Sequence, residues 1–234
     1  MPSNYSRKDL KTDKFAVEVE HTVDFFSLHR SEVIRYGAIA VAVMLVAVGI
    51  YYYRAHQHAV REEKLAGAMQ IQEAQVSPGA SPTGALTFPT EDAKRAEALK
   101  AFTKVATEDA GSEEGYIAEY YLASIAADQG KVDEAKKRFQ MVSDNAGKNF
   151  SSLAKLSIAQ IAFSENRTSD GEKVLRGLMD KPTELVSKEQ ATFSLARNLI
   201  KSNPVEARKL LNTLVKQTGN VSQVATGALG EFSQ

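Results

Sequence analysis

The 234-residue chain contains no cysteine and no tryptophan. Without cysteine it cannot form disulfides, iron–sulfur clusters, thiol nucleophiles or cysteine zinc sites. Its four histidines, His21, His29, His56 and His58, all precede residue 59. The long stretch that follows therefore lacks the imidazole of serine–histidine–aspartate catalysis and the commonest metal ligand. Carboxylate or lysine chemistry stays open, but no constellation of residues points to it. These absences predict a protein that is not an enzyme and holds no cofactor and no metal.

An excess of charge of one sign is also missing. Lysine and arginine together number 29, aspartate and glutamate together also number 29, and the formal net charge is +0. Because nucleic-acid-binding domains usually present a basic face, this balance argues against a nucleic-acid partner. No glycine-rich phosphate-binding loop is present either. We therefore expect neither a nucleic acid nor a small-molecule substrate.

Charged residues are absent from residues 36–53, a run bracketed by Arg35 and Arg54. As a helix this run is about 27 Å long, which matches the hydrocarbon core of a bilayer. Tyr36 at one end and three consecutive tyrosines, 51–53, at the other suit the two membrane interfaces. The run predicts a single transmembrane helix. The alternatives are a buried core helix and a cleaved signal peptide, although the leading region is long for a signal peptide.

Residues 1–35 are predicted to form a tail that contains an amphipathic helix. Phe15, Val19, Val23 and Phe26 recur at spacings of four, four and three, which places them on one helix face. This pattern favours a helix on the membrane surface or against a membrane partner. A solvated helix that leads into the span is the alternative.

Basic residues indicate the orientation of the predicted span. The tail carries six, and a comparable length after the span carries three. The six are Arg7, Lys8, Lys11, Lys14, Arg30 and Arg35, and the three are Arg54, Arg61 and Lys64. Because cytoplasmic flanks carry the excess of lysine and arginine, the tail is expected in the cytoplasm and residues 59–234 outside it.

A repeated pattern occupies most of residues 59–234. After a predicted helix at 59–76 and a proline- and glycine-rich loop at 77–89, a small residue recurs at intervals of 37, 36 and 36, with large apolar residues four and seven positions later. The small residues are Ala98, Ala135, Gly171 and Ala207, followed by Phe102, Phe139, Leu175 and Leu211, and then by Val105, Val142, Leu178 and Leu214. Further helices are predicted near 113–128, 151–165, 188–202 and 221–232.

A helix–turn–helix unit of this length is typical of tetratricopeptide repeats. The predicted fold is all-α: a single N-terminal transmembrane helix followed by a tetratricopeptide-repeat-like helical solenoid at 59–234. In such a solenoid the first helix of each unit lines the concave face. By register that face would show Tyr120, Ser124, Gln160, Phe163, Phe193 and Arg197.

This mixed aromatic and polar surface suits an extended or partly unfolded polypeptide. The alternative is that Phe163 and Phe193 fill the core between units. Some repeat domains clamp a terminal carboxylate with lysine and asparagine, but only Arg197 is basic here, so no clamp is predicted.

The order of features resembles the YfgM-like family, ancillary subunits of the bacterial SecYEG translocon. The residues that carry the resemblance are Val23-Asp24-Phe25-Phe26, the single span, Arg54 and His56 after it, Tyr121-Leu122-Ala123, and Gly130 through Glu134-Ala135. A longer tail and a prominent loop at 77–89 depart from the family pattern. The resemblance implies a bacterial inner-membrane protein with a cytoplasmic N-terminus. Its periplasmic domain would bind the SecYEG translocon, chaperones or exported clients, and no catalytic residues come with it.

The predicted function is a membrane-tethered protein–protein interaction scaffold, accessory to the protein-export translocon. The alternative is a structural or assembly factor for another cell-envelope complex. An enzyme is the third hypothesis, and the missing histidine and cysteine speak against it.

Overall fold

The computed structural model describes residues 30–77, 86–217 and 220–230. The predicted amphipathic helix of the tail falls almost entirely outside these residues. The chain divides into two compact units, Met1–Ala59 and Val60–Gln234.

The described part of the chain is almost entirely helical, which confirms the all-α prediction. Its helices are α1 Arg30–Glu73, α2 Glu91–Glu108, α3 Glu113–Asp128, α4 Val132–Asn145, α5 Lys148–Ser164, α6 Thr168–Asp180, α7 Lys188–Leu199, α8 Pro204–Val215 and α9 Asn220–Gly230. Two strands of two residues each, β1 Gln75–Val76 and β2 Thr87–Phe88, complete the described elements.

Helix α1 has 44 residues and contains the predicted span. Among the described helices it alone is long and apolar enough to cross a membrane, by length and composition. None of its apolar window is buried, which disfavours the core-helix alternative because a core helix is mostly buried. A signal sequence near an N-terminus meets the same criteria.

Side-chain caps begin several of the repeat helices. Thr90, Ser187 and Asn203 each accept a backbone N–H from three residues further on, at 3.1, 3.1 and 3.2 Å. Asn203 is followed by Pro204 at the first turn of α8, where the missing proline N–H has no helical partner in any case. The predicted helix 113–128 is observed with the same bounds, whereas the predicted helix 188–202 ends at Leu199.

The three recurring positions of the predicted repeat, one small residue and two large apolar residues per unit, form the core of the helical array. Helices α2 to α9 each pack on the next along the chain. All three register positions are buried in α2, α4, α6 and α8, which confirms the repeat units. The second half of α1 joins the same array, because Leu65 and Ala68 share a buried cluster with Phe102.

Two turns between paired helices have the same geometry, 36 residues apart. Gly130 after α3 and Asn166 after α5 have φ values of +74° and +60°. Each donates its N–H to the carbonyl three residues back, and the residue after each donates to the carbonyl five residues back. This is the Schellman arrangement that ends a helix with a left-handed residue. The repeat therefore extends to its turns.

A short parallel strand pair ties together the two ends of the loop predicted at 77–89. Gln75 pairs with Thr87 and Val76 with Phe88, and the Ser77 N–H donates to the Phe88 carbonyl at 2.9 Å. Because Gln75 and Val76 adopt this extended pairing, α1 ends at Glu73 rather than at the predicted residue 76.

Gly171 in α6 provides a test of the register. A Cβ atom there would lie 2.6 Å from the Phe163 ring. We expect Gly171→Ala to lower the free energy of unfolding by about 1–2 kcal/mol, because the ring must move within a packed region. The matched control is Gly177→Ala in the same helix, where a Cβ meets nothing within 4 Å; its helix propensity should raise stability by about 0.5–1 kcal/mol. Denaturant unfolding followed by circular dichroism measures both, and equal effects would contradict this packing.

Candidate protein-binding face

Two adjoining grooves lie between the first helices of successive repeat units. Groove one, between α3 and α5, has a volume of about 340 Å³, and groove two, between α5 and α7, about 390 Å³. Gln160 of α5 is exposed and lines both grooves. Most of the residues that line the walls are polar. In groove one these are Ser124, Asp128, Ser157, Gln160 and Ser164, and in groove two Gln160, Gln190, Ser194, Arg197 and Asn198.

The structure places four of the six predicted face residues in these grooves. Ser124 lines groove one, Phe193 and Arg197 line groove two, and Gln160 lines both. The Arg197 guanidinium carbon lies 6.0 Å from the centre of the Phe193 ring, within the range of a cation–π contact. Phe193 also packs against the buried cluster that contains Leu211. It therefore serves both the groove wall and the core.

Tyr120 and Phe163 are half-buried in core clusters and line neither groove. The Tyr120 ring makes edge-to-face contacts with Phe139 and Phe150 at centroid distances of 5.5 and 5.6 Å. Phe163 lies directly against Gly171 of the next helix. Both side chains therefore pack against the core rather than line a groove.

Several polar groups in the grooves have hydrogen-bonding capacity to spare. Ser124, Ser157 and Ser164 donate their hydroxyl protons to carbonyls of their own helices at 3.0, 3.2 and 2.7 Å, which leaves their oxygens able to accept. Within the described residues, the side-chain amides of Gln160 and Gln190 have no hydrogen-bond partner. The Arg197 guanidinium has no carboxylate partner there either.

Charges at the edge of groove one are neutralised locally. The Glu165 carboxylate, next to Ser164, accepts from Lys136 at 2.8 Å and from Arg167 at 2.7 Å. These two cations, Lys136 first, lower the pKa of Glu165, so it stays ionised and paired. Arg167 also pairs with Asp170 at 2.9 Å. The network leaves groove one with Asp128 as the charged residue in its wall.

Sequence reasoning missed the polar groove residues Asp128, Ser157, Ser164, Gln190, Ser194 and Asn198. Ser157 and Ser164 lie three before and four after Gln160, and Gln190 lies three before Phe193. Residues at those spacings share a helix face. Including the residues three or four positions before and after each predicted residue would therefore have identified most of them.

A family model described as a tetratricopeptide repeat-like domain matches residues 31–189, more than half of the chain. The match begins in the first turn of α1, ahead of the apolar run, and ends at the start of α7. The remaining units follow the same register beyond it. No curated protein and no solved structure gave a match.

Proposed function

Because the chain belongs to the tetratricopeptide repeat-like domain family, whose stacked helices form interaction surfaces, we propose that it is a non-catalytic scaffold that binds extended polypeptide in grooves one and two. The observation that carries the proposal is that Gln160 lines both grooves, along which two side-chain amides lie without a hydrogen-bond partner among the described residues, together with one guanidinium.

The chemistry of the walls suits a polypeptide backbone. An amide side chain both donates and accepts, as a peptide group does, so Gln160 and Gln190 can bind main-chain groups irrespective of sequence. Each groove has room for a side chain rather than for a folded domain. Arg197 adds a preference for a carboxylate or carbonyl oxygen near Phe193.

The membrane setting is part of the proposal. Helix α1 supplies the anchor, with the N-terminus in the cytoplasm and Val60–Gln234 in the periplasm of a bacterial inner membrane. The feature order that resembles the YfgM-like family supports a partner in the SecYEG translocon, with periplasmic chaperones or exported clients as groove ligands. Anchoring raises the local concentration of the grooves at a membrane complex, which compensates for weak contacts.

The groove triple variant Gln160→Ala, Gln190→Ala and Arg197→Ala tests the binding face. We expect it to weaken binding of a labelled, unfolded, uncharged polypeptide by about tenfold or more, because three hydrogen-bonding groups are lost. Fluorescence anisotropy with the full chain in nonionic detergent measures this. The matched control removes Gln70, Gln217 and Arg95, all exposed and outside the grooves. Equal affinities for the triple variant and the unaltered chain, with helix content unchanged, would remove the grooves from the function.

Co-purification after in-cell crosslinking tests the partner, with the native span and with a foreign span. Translocon subunits recovered only with the native span are the expected result. Envelope-assembly proteins recovered with either span would favour an assembly factor instead. Repeating the capture with the groove triple variant separates client binding from contacts made by the span.

A further inference from the structure

A further cavity in the described part of the chain lies away from the grooves. It is a cleft of about 1010 Å³ bordered by α4, α5 and α6 and by the turn after α6. Helix α5 contributes Lys148, Ser151, Ser152 and Lys155 to the cleft. With about 100° between successive residues of a helix, this stripe lies on the side of α5 opposite the groove stripe that contains Ser157 and Gln160. The cleft is therefore a separate surface.

Four lysines line the cleft. Lys148 and Lys155 come from α5, and Lys173 and Lys181 come from α6 and its C-terminal cap. All four are exposed, and among the described residues none has an ion-pair partner. The cations that link neighbouring helices differ in this respect. Lys136 pairs with Glu165, Arg138 with Glu119, and Arg176 with Glu206.

The acidic residues of the cleft only partly balance these lysines. Asp170 pairs with Arg167 at 2.9 Å, and Asp144 accepts two hydrogen bonds from the neutral Gln140 amide at 2.9 and 3.0 Å. Asp180 is the third carboxylate in the lining. Once the Arg167–Asp170 pair is set aside, four ammonium groups face two carboxylates, so the cleft favours an anionic ligand.

Apolar groups and hydroxyls that are already hydrogen-bonded line the rest of the cleft. Ile158, Val174, Leu178 and Pro182 provide the apolar part. The Ser151 hydroxyl donates to the Ser143 carbonyl at 2.6 Å. Ser152 shares a hydrogen bond with Thr183 at 2.7 Å. A ligand that fits this surface carries apolar side chains as well as negative charge.

We propose that the cleft between α4 and α6 is a second binding site, which takes an acidic, apolar-containing polypeptide segment of a partner protein. The site is independent of the grooves and does not rest on their function. A polypeptide is favoured over a lipid surface because the lysines surround a concavity, which a protruding segment can enter and a flat layer of headgroups cannot.

The lysine spacing constrains the segment. Lys148 and Lys155 are about 10.5 Å apart along their helix, and Lys173 and Lys181 about 12 Å. An extended chain advances about 3.3 Å per residue. Carboxylates three or four residues apart, with leucine or a similar side chain between them, therefore match the cleft.

The test uses the full chain in nonionic detergent and a labelled peptide of about twelve residues, in which leucines separate glutamates placed four residues apart. The cleft variant replaces Lys148, Lys155, Lys173 and Lys181 with glutamine. The matched control replaces Lys104, Lys201, Lys209 and Lys216, which are exposed, lie outside the cleft and carry the same total charge. We expect the dissociation constant to rise about tenfold or more in the cleft variant, and to change little in the control and in the groove triple variant.

Four outcomes would overturn the proposal. In the first, the cleft variant and the control bind the peptide equally weakly. In the second, the unaltered chain binds a peptide with glutamine in place of glutamate as tightly as it binds the glutamate peptide. In the third, the cleft variant loses binding to phosphatidylglycerol vesicles but still binds the peptide, which would indicate a lipid surface. If the cleft variant loses helix content, the single variant Lys155→Glu is used in its place. The dissociation constant of the peptide is again expected to rise. A photoreactive leucine in the peptide must also crosslink to the cleft, and crosslinks confined to the grooves contradict the assignment.

Discussion

Replacing Phe102 with alanine is expected to lower the free energy of unfolding by about 3–5 kcal/mol. The Phe102 side chain is fully buried in α2. Its ring stacks on Tyr121 of α3, with centroids 4.7 Å apart and planes 8° from parallel. It also lies in the cluster that contains Leu65 and Ala68 of α1. The truncation therefore leaves a cavity where three helices meet.

Chemical unfolding of the full chain, followed by circular dichroism, measures the effect. The matched control is Leu99→Ala in the same helix, whose side chain is 40% exposed and should cost under about 1 kcal/mol. Because each repeat contacts only its neighbours, the damage should remain local. Hydrogen exchange should quicken in α2 and α3 before α8 and α9. Equal losses for Phe102→Ala and Leu99→Ala would contradict the placement of Phe102 in the core.

The burial of the second helix of each repeat unit could be predicted, because its buried positions recur at the interval of the repeat and this interval is visible in the sequence. A position such as Ala135 or Leu175 faces the core in each unit, so the residue type repeats with the unit. The short strand pair could not be predicted in this way. Two residues on each side of a proline-rich segment carry no period, and their pairing depends on where α1 and α2 bring the ends of that segment.

The candidate site was predictable only in part, for a related reason. Register assigns Tyr120, Gln160 and Phe163 to first-helix positions, but it does not give the separation between neighbouring helices. Gly171 lets α6 approach Phe163 closely, so that ring is covered while Gln160 stays exposed. The lysine cleft depends likewise on the gap between α4 and α6, which no local pattern of lysines specifies.

Gly115→Ala is expected to destabilise the chain by about 3 kcal/mol or more, at the upper end of the cost of overpacking. A Cβ atom on Gly115 would lie 2.3 Å from the Asp109 carbonyl oxygen and 3.0 Å from its carbonyl carbon. Both are backbone atoms, so no side-chain rotation can relieve the overlap. The Asp109 carbonyl also accepts from the Ser112 hydroxyl at 2.6 Å, which holds the turn between α2 and α3 in place.

The consequence reaches α1, because the Asp109 side chain is buried in the same turn and accepts from Lys64 at 3.2 Å. This hydrogen bond and a second one to Glu108 raise the pKa of Lys64, with the Glu108 contribution the larger. A turn displaced by a new methyl group weakens this contact, so α1 should lose protection from hydrogen exchange between Val60 and Glu73.

Gly67→Ala in α1 is the matched control for Gly115→Ala, since a Cβ there meets nothing within 4 Å; it should raise stability by about 0.5–1 kcal/mol. If Gly115→Ala instead proved as stable as the unaltered chain, the close approach of α3 to the Asp109 carbonyl would be wrong. The attachment of α1 to the first repeat through Lys64 would then lose its structural basis.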